Sequence, residues 1–160
     1  MSNSKTSEKK TTRLESIKKA HSQKNSFTTR MEDYLEVILE LMELKGYASP
    51  TDISNYMDVS PPSVTKMLRR LDADGYLEYT KYHGLKLTSK GRNIANDIRQ
   101  KHSDLLEFFD IIGVDNNIAN KDAEGIVHHL NPKTMKQLRK FTTFLESNPD
   151  LLLLFNKTVL

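Results

Sequence analysis

The sequence contains no cysteine among its 160 residues. Disulfides, cysteine nucleophiles and thiolate metal sites are therefore excluded, and any bound metal ion must take nitrogen and oxygen ligands. Long apolar runs are also missing, since the longest, Leu151 to Phe155, falls far short of the roughly 20 residues that cross a bilayer. The basic N-terminus leads into no apolar stretch with a small-residue cleavage site. We therefore expect no secretory signal, no membrane partner and a cytoplasmic location.

Common enzyme motifs are absent as well. The sequence has no serine nucleophile motif, no phosphate-binding glycine loop and no His-Glu-x-x-His zinc pattern. These absences predict that the protein is not an enzyme and has no small organic substrate. One enzyme class, a dimetal carboxylate hydrolase, needs only carboxylates and histidines and stays open at this point.

The net charge of +3 hides an uneven distribution. Residues 1–30 contain eight lysines or arginines against two glutamates, so they carry +6 and the rest of the chain carries −3. This segment is rich in serine, threonine and lysine and has no aromatic residue before Phe27. It cannot bury enough apolar surface to fold alone, which predicts a disordered basic arm over 1–28. Contact with DNA phosphates is its alternative role.

Helical periodicity begins at Met31. Apolar residues recur at three- and four-residue steps through Tyr34, Leu35, Ile38, Leu41 and Met42. Glu32, Glu40 and Glu43 fall on the other side of this predicted helix, which Gly46 ends. Ser49-Pro50 opens a second helix to about Met57, and Ser60-Pro61 opens a third that closes at Asp74-Gly75.

The periodicity then drops towards two. Residues 76–79 and 85–87 are predicted strands on either side of a tip at 81–84, which makes a hairpin wing. Helix, tight turn, helix and wing in this order form a device that places one helix in the major groove of DNA. The sequence therefore predicts a winged helix-turn-helix over 29–90.

The third helix is the predicted reading helix. Its apolar stripe faces the core, and the opposite face presents short hydroxyls and long cations, which suit base edges and phosphates. Cations in the wing could follow the adjacent backbone, whereas His83 is expected to be an exposed turn residue only. The candidate DNA-binding residues are Ser60, Pro62, Ser63, Thr65, Lys66, Arg69 and Arg70 on the helix, with Lys81, Tyr82 and Lys86 on the wing.

The second half of the chain is predicted to be helical. Thr88-Ser89-Lys90 caps a long helix that reaches about Ile112, and two further helices cover 116–130 and 132–146. The fold class is therefore mainly α, with a second helical domain over 91–146 and a tail over 147–160. The apolar positions of the long helix include Leu105, Leu106, Phe109 and Ile112.

Acidic residues and histidines are spaced as in helical metal sites. Asp33 and Glu36 lie three residues apart, Glu124 and His128 lie four apart on a predicted later helix, and His102 lies midway along the long helix. Helical bundles use such pairs to bring hard oxygen and imidazole ligands onto a divalent ion. Acid pairs on helices are also common on solvated faces, so spacing alone leaves both interpretations open.

Several motifs together resemble one known family. The motifs are Met31 to Glu36, Ser63 to Met67, Leu87 to Gly91, Ile111 to Asp115 and Glu124 to Leu130. They resemble the manganese transport regulator branch of the diphtheria-toxin-repressor family of metal-dependent repressors, over about 29–146. The resemblance implies a homodimeric transcriptional repressor that Mn²⁺ activates to bind palindromic double-stranded promoter DNA of metal-uptake genes. It also implies that residues 91–146 form the metal-binding and dimerisation domain, with Leu105, Leu106, Phe109 and Ile112 as candidate dimer contacts.

The same resemblance implies a ligand set. By matching position, the family's metal ligands fall on Asp33, Glu36, His102, Glu124 and His128. The iron-responsive branch has a softer methionine where this chain has Asp33, and all-hard ligands suit Mn²⁺, with Fe²⁺ left open. Manganese-responsive members usually carry a glutamate where this chain has Val127, which offers only its backbone carbonyl. We therefore expect one strong metal site and one that is weakened or absent.

An alternative function has no metal site. A winged-helix regulator of another family could sense a small organic ligand, with the acids and histidines incidental. A DNA-binding response that ignores metal ions would favour it.

Overall fold

The computed structural model of the protein describes residues 29–80 and 84–158, together with Arg13 and Glu15. Seven helices lie in the described ranges that begin at residue 29: α1 (Thr29–Lys45), α2 (Pro50–Met57), α3 (Pro61–Ala73), α4 (Ser89–Ile111), α5 (Asn116–Ile126), α6 (Pro132–Glu146) and α7 (Pro149–Lys157). Strands β1 (Leu77–Thr80) and β2 (Gly84–Leu87) form an antiparallel pair. Lys81, Tyr82, His83 and all of the predicted arm except Arg13 and Glu15 lie outside the described residues.

The first unit is a winged helix-turn-helix built around α1. Tyr34, Leu35 and Ile38 of α1 are fully buried, and they share one core with Ile53 of α2 and Leu68 of α3. Leu77, Leu85 and Leu87 of the wing close the same core. The alternation of buried and exposed residues along β2 is the period of two that the sequence showed. The predicted mainly helical fold with an N-terminal reading head is confirmed.

The turn between α2 and α3 is fixed by local chemistry. Asp58 ends α2 in the left-handed conformation, with φ of 50°, which aspartate tolerates better than most residues. The Ser54 hydroxyl donates to the Val59 carbonyl at 2.6 Å across this turn. Ser60 then opens α3, whose first turn contains two prolines. Proline suits this place because its missing N–H would have no partner there.

The start of α4 is anchored on the base of the wing. Thr88 caps α4 by accepting from Gly91 N at 3.2 Å, and its hydroxyl donates towards the carbonyls of Gly75 and Tyr76 at 2.9 and 3.0 Å. A Cβ on Gly91 would lie 2.0 Å from the Tyr76 carbonyl oxygen. Only glycine allows this approach, so α4 leaves the head in a fixed direction.

Helix α4 joins the head to a second core. Its residue Ile94 packs against both cores, and the second core is made of Ile98, Leu105, Ala123, Val127 and Met135. Helices α5 and α6 pack on α4, and α7 packs on α6. Within the described residues, no helix combines the length and apolar character that a membrane crossing requires.

Two helix boundaries differ from the prediction. Helix α5 ends at Ile126, not near Leu130, because residues 127–129 form a turn. His128 therefore does not share a helix with Glu124, and the predicted i, i+4 pair on one helix face is wrong. At the C-terminus, residues 149–157 form helix α7 where a tail was expected.

Candidate metal centre and DNA interface

The site forms where the first half of α1 meets the turn after α5. His128 enters from that turn, with its side chain only 5% exposed, between two carboxylates of α1. Its Nδ1 lies 2.7 Å from Glu32 Oε2 in a hydrogen bond, and its Nε2 lies 3.1 Å from Asp33 Oδ1. The early end of α5 is what allows this reach, because the turn directs His128 away from the axis of α5 and towards α1.

The Nε2 atom of His128 is buried and makes no well-formed hydrogen bond, although Asp33 Oδ1 lies 3.1 Å away. The carboxylate of Asp33, followed by that of Glu32, raises the pKa of His128 to about 10, with burial acting in the opposite direction. The imidazole is therefore a cation in the metal-free protein at neutral pH.

Glu36 lies half-buried next to this pair. Burial raises the pKa of Glu36 above its ordinary value, and the negative charges of Glu124 and Asp33 raise it further, while His128 lowers it. Glu36 thus interacts through charge with Asp33, Glu124 and His128. The mutual repulsion of the three acids is the electrostatic feature that a divalent cation would relieve.

His102 and Glu124 form a second, looser pair. His102 Nε2 lies 3.9 Å from Glu124 Oε2, and the glutamate side chain is 68% exposed. Among the residues that the structure describes, no three histidine or carboxylate side chains are grouped closely enough to form a ready-made metal cluster. The predicted ligands are therefore brought together as two pairs with Glu36 between them.

Val127 turns away from both pairs. Its side chain is 1% exposed and belongs to the second core, with Ile98 and Met135. As expected from the residue type, this side chain cannot ligate. In the structure, a glutamate side chain in place of Val127 would begin within this apolar core.

The donor chemistry fits a hard divalent cation. The candidate ligands are carboxylate oxygens and imidazole nitrogens, and one of those nitrogens is buried without a hydrogen bond. A bound cation would supply the positive charge that Asp33, Glu36 and Glu124 lack, and would replace the proton on His128.

The predicted reading helix α3 is exposed along its polar face. Ser63, Lys66, Arg69 and Arg70 are exposed, and Thr65 is half-buried with its hydroxyl donating to the Pro61 carbonyl at 3.1 Å. Ser60 Oγ lies 2.9 Å from Ser63 Oγ at the start of the helix, and Pro62 is exposed beside them. Arg70 pairs with Asp74 at 3.9 Å. On the wing, Lys86 is exposed opposite Glu78 in the strand pair.

A groove joins this helix to α1. It has a volume of about 310 Å³ and is lined by Arg30, Tyr34, Ser63, Lys66, Met67 and Arg70. Arg30 is exposed at the start of α1, three residues before Asp33. The reading face and the candidate metal centre therefore share the first two turns of one helix.

Two residues of these sites, Glu32 and Arg30, were not predicted from the sequence. Glu32 was assigned to the outer face of the first helix, yet it accepts the hydrogen bond of His128. Periodicity could not reveal this, because the partner lies 96 residues away. Arg30 was included in the charge of residues 1–30 but was not named as a DNA-binding candidate, and its place three residues before Asp33, at the start of the periodic helix, was the available signal.

One predicted dimer contact, Leu105, requires a correction. Leu105 is 1% exposed and belongs to the core of its own chain, so it is not available to a partner. Leu106 and Phe109 are half-buried against the same core, and Ile112 is half-buried at the end of α4. Exposed large apolar side chains are found on several elements, and the group on α6 and α7 consists of Phe141, Phe144, Leu151, Leu153, Leu154 and Phe155.

Comparison with known proteins gives matches along most of the chain. A family profile described as "Iron dependent repressor, N-terminal DNA binding domain" matches residues 26–85, and one described as "Iron dependent repressor, metal binding and dimerisation domain" matches residues 88–152. The HTH-type transcriptional regulator MntR of Listeria welshimeri is 45% identical over 125 residues, covering 78% of this chain and 88% of that protein.

Other relatives agree. The HTH-type transcriptional regulator MntR of Lysinibacillus sphaericus is 44% identical over 124 residues, covering 78% of this chain and 89% of that protein. The solved structure of the manganese regulator SloR is similar with a TM-score of 0.62 and 28% identity. That likeness covers 74% of this chain and 55% of the SloR chain, so the present chain spans about half the length of that structure.

Proposed function

The chain belongs to the iron-dependent repressor family, and on that premise we propose that it is a manganese-activated transcriptional repressor that binds palindromic promoter DNA as a homodimer. One observation carries the proposal. Helix α1 contributes Asp33 to the contact with His128, and it also lines the groove against the reading helix through Arg30 and Tyr34. A shift in the position of α1 therefore changes the groove beside the reading helix directly.

The choice of Mn²⁺ is supported by donor type and by the relatives. All the candidate side-chain ligands are hard oxygen or imidazole donors, and Asp33 stands where the iron-responsive branch carries a softer methionine. One of the related solved structures is that of a manganese regulator. Affinity for other divalent ions rises in the order Mn²⁺, Fe²⁺, Co²⁺, so selectivity would come from geometry and metal supply.

The physical basis of the switch is electrostatic. In the metal-free protein Asp33, Glu36 and Glu124 repel one another, and the proton on His128 compensates part of this charge. The two reading helices of a dimer must enter major grooves about 34 Å apart, or a multiple of it. Tying α1 to the turn after α5 lowers the entropy lost when both heads are placed at that separation.

We propose one strong metal site and a second that is weakened or absent. His128, Asp33 and Glu36 form the strong part because His128 is buried and near both acids. The pair of His102 and Glu124 is longer and more exposed, and Val127 offers it only a backbone carbonyl.

The dimer contact is proposed to use the exposed apolar face of α6 and α7. Phe141 and Phe144 of α6 and Leu151, Leu154 and Phe155 of α7 are about half exposed or more. Apolar side chains concentrated in this way are typical of a surface that a partner covers. Most of this face lies inside the stretch matched by the dimerisation profile, which ends at residue 152.

The decisive experiment is a DNA-binding titration by fluorescence anisotropy with Mn²⁺, Fe²⁺ and Zn²⁺. We expect Mn²⁺ to tighten binding of the native chain to a palindromic promoter fragment. Asp33→Met should weaken the response to Mn²⁺ strongly and that to Fe²⁺ less. Asp110→Met, which removes an exposed carboxylate at the far end of α4, is the matched control and should respond as the native chain does. Metal-independent binding that an organic compound changes would overturn the proposal.

A further inference from the structure

The second half of α1 carries an ion-pair bridge to α4, separate from the candidate ligands. Arg99 of α4 donates from Nη1 to Glu43 Oε2 at 2.5 Å and to Glu40 Oε1 at 3.4 Å, and from Nη2 to Glu43 Oε1 at 3.3 Å. Asn96 Oδ1 accepts from the same Nη2 at 2.8 Å, which orients the guanidinium. One arginine thus holds two glutamates of another helix through a planar fork.

The bridge and the ligands share the same two helices. Glu40 follows Glu36 by four residues on α1, Glu43 lies one further turn along, and Arg99 precedes His102 by three residues on α4. Glu40 and Arg99 therefore each lie one turn from a candidate ligand on the same side of their helix. The bridge ties α1 to α4 beside the candidate ligands.

The acids of α1 fall into two groups along one face. Glu40 and Glu43 at the far end are neutralised by Arg99, whereas Asp33 and Glu36 at the near end face His128 and Glu124. At the far end the acids are paired with a guanidinium, whereas at the near end they face an imidazole that is itself a candidate metal ligand.

We propose that Arg99 is a positioning residue of the metal switch. Its bridge holds α1 against α4 in the metal-free chain and so prepares Asp33, Glu36 and His102 for Mn²⁺ while ligating nothing itself. This inference rests on the proposed function. It adds that the ion pairs of Arg99 already supply part of the conformational ordering of α1 that metal binding requires. Arg99, a residue outside the metal centre, therefore influences how much Mn²⁺ increases DNA affinity.

The test compares Arg99→Met with Lys45→Met. Lys45 makes an ion pair of similar exposure with Asp52 at 2.7 Å, inside the head and away from α4. Both variants lose one positive charge and keep an unbranched side chain. Mn²⁺ affinity is measured without DNA, from the electron paramagnetic resonance signal of free Mn²⁺, and DNA affinity is measured in chelator and at saturating Mn²⁺.

The direction in which Mn²⁺ affinity changes in Arg99→Met distinguishes a positioning role of Arg99 from a purely electrostatic one. Removing a cation near an acidic site should tighten Mn²⁺ binding if only charge matters. If Arg99 positions the ligands, Arg99→Met weakens Mn²⁺ binding by about three- to fivefold, the size of an exposed ion-pair network. DNA affinity in chelator then falls similarly, while that at saturating Mn²⁺ changes less than about twofold. Lys45→Met should leave Mn²⁺ affinity unchanged or slightly tighter.

A charge-swapped pair completes the design. Arg99→Glu alone should weaken Mn²⁺ binding, and adding Glu43→Arg should restore part of it, because the bridge can form again in the opposite direction. Unchanged or tighter Mn²⁺ binding by Arg99→Met, or no rescue by the swap, would overturn this inference. If the native chain itself ignores Mn²⁺, the proposed function fails instead. Circular dichroism melting of each variant reports folding, and Arg99→Lys, which keeps the charge without the fork, should give an intermediate loss.

Discussion

The two histidine–carboxylate pairs of the metal centre differ in how completely folding has formed them. His128 is nearly fully buried and lies within 3.1 Å of two acids of α1. His102 lies 3.9 Å from Glu124, whose side chain is mostly in solvent. The first pair is thus built into the packing between the two units. The second is a surface pair that has to close further around an ion.

This difference predicts different roles for the two pairs in Mn²⁺ affinity and in the transmission of metal binding to the reading helix. A buried, pre-positioned ligand loses little conformational entropy when it binds, so the first pair should dominate affinity. It also connects α1 of the head to the turn after α5, so its occupation reaches the reading helix. The second pair joins α4 to α5 within one unit, and it should adjust affinity without controlling the position of the head.

The comparison predicts unequal effects of the two histidines. His128→Ala should weaken Mn²⁺ binding at least 100-fold and abolish Mn²⁺-dependent DNA binding, because it removes a buried ligand and the link to α1. His102→Ala should weaken Mn²⁺ binding only about tenfold. Free-Mn²⁺ measurements and anisotropy titrations check both, with His129→Ala as the control because His129 is the exposed neighbour of His128. Equal losses in the two variants would break the comparison.

Val127 gives the next largest effect. Val127→Glu should lower the stability of the metal-free chain by about 3 kcal/mol, because a carboxyl would enter the second core. In thermal unfolding this is a drop of roughly 10 °C. Val127→Ala, which leaves only a small cavity, should cost about 1–2 kcal/mol.

Unchanged stability of Val127→Glu would also be informative. If Val127→Glu melts as the native chain does and binds a second Mn²⁺ per subunit, its carboxylate has turned out of the core towards His102 and Glu124. Two Mn²⁺ per native subunit, with Val127→Glu changing nothing, would contradict the unequal sites altogether.

Local signals predicted most of the fold. The period of apolar residues from Met31 and the caps at Ser49, Ser60 and Thr88 indicated α1 to α4 and the wing to within one or two residues. These signals are local because helix periodicity and caps involve residues a few positions apart. The end of α5 was missed although Gly125 precedes Ile126, because the contacts of His128 with Glu32 and Asp33 in the turn after it are tertiary and leave no local signal.

The sequence predicted which residues belong to the metal centre better than it predicted how they are arranged. Asp33, Glu36, His102, Glu124 and His128 were chosen by spacing and by family resemblance, and the structure brings them into two pairs around Glu36. Glu32, Glu40 and Glu43 were assigned to a solvated face, yet one binds His128 and two bind Arg99. Such partners lie 56 to 96 residues away, where periodicity carries no information.

The pH dependence tests the buried pair alone. Because the pKa of His128 is raised to about 10, Mn²⁺ must displace a proton throughout the neutral range. Apparent Mn²⁺ affinity should therefore rise by up to about tenfold per pH unit from pH 6 to 9. In the metal-free chain the sign is opposite: the stabilisation by charged His128 is complete below about pH 6.5 and is lost as the pH rises towards 10. Mn²⁺ titrations and thermal melts at several pH values measure both, and an affinity that is flat between pH 6 and 8 would contradict the buried cation.

Glu32 gives the smallest and most discriminating effect. In Glu32→Gln the amide oxygen can still accept from His128 Nδ1, so the ring stays oriented, while the lost charge lowers the pKa of His128 and weakens proton competition. These two consequences oppose each other, and Mn²⁺ affinity at pH 7 should stay within about threefold of native. Glu32→Ala loses the orientation as well and should weaken binding about tenfold. The Gln variant should also show a shallower pH dependence than the native chain. A tenfold loss in both variants would mean that the charge of Glu32 acts on the ion directly, and Glu32 would then count as a ligand of the buried pair.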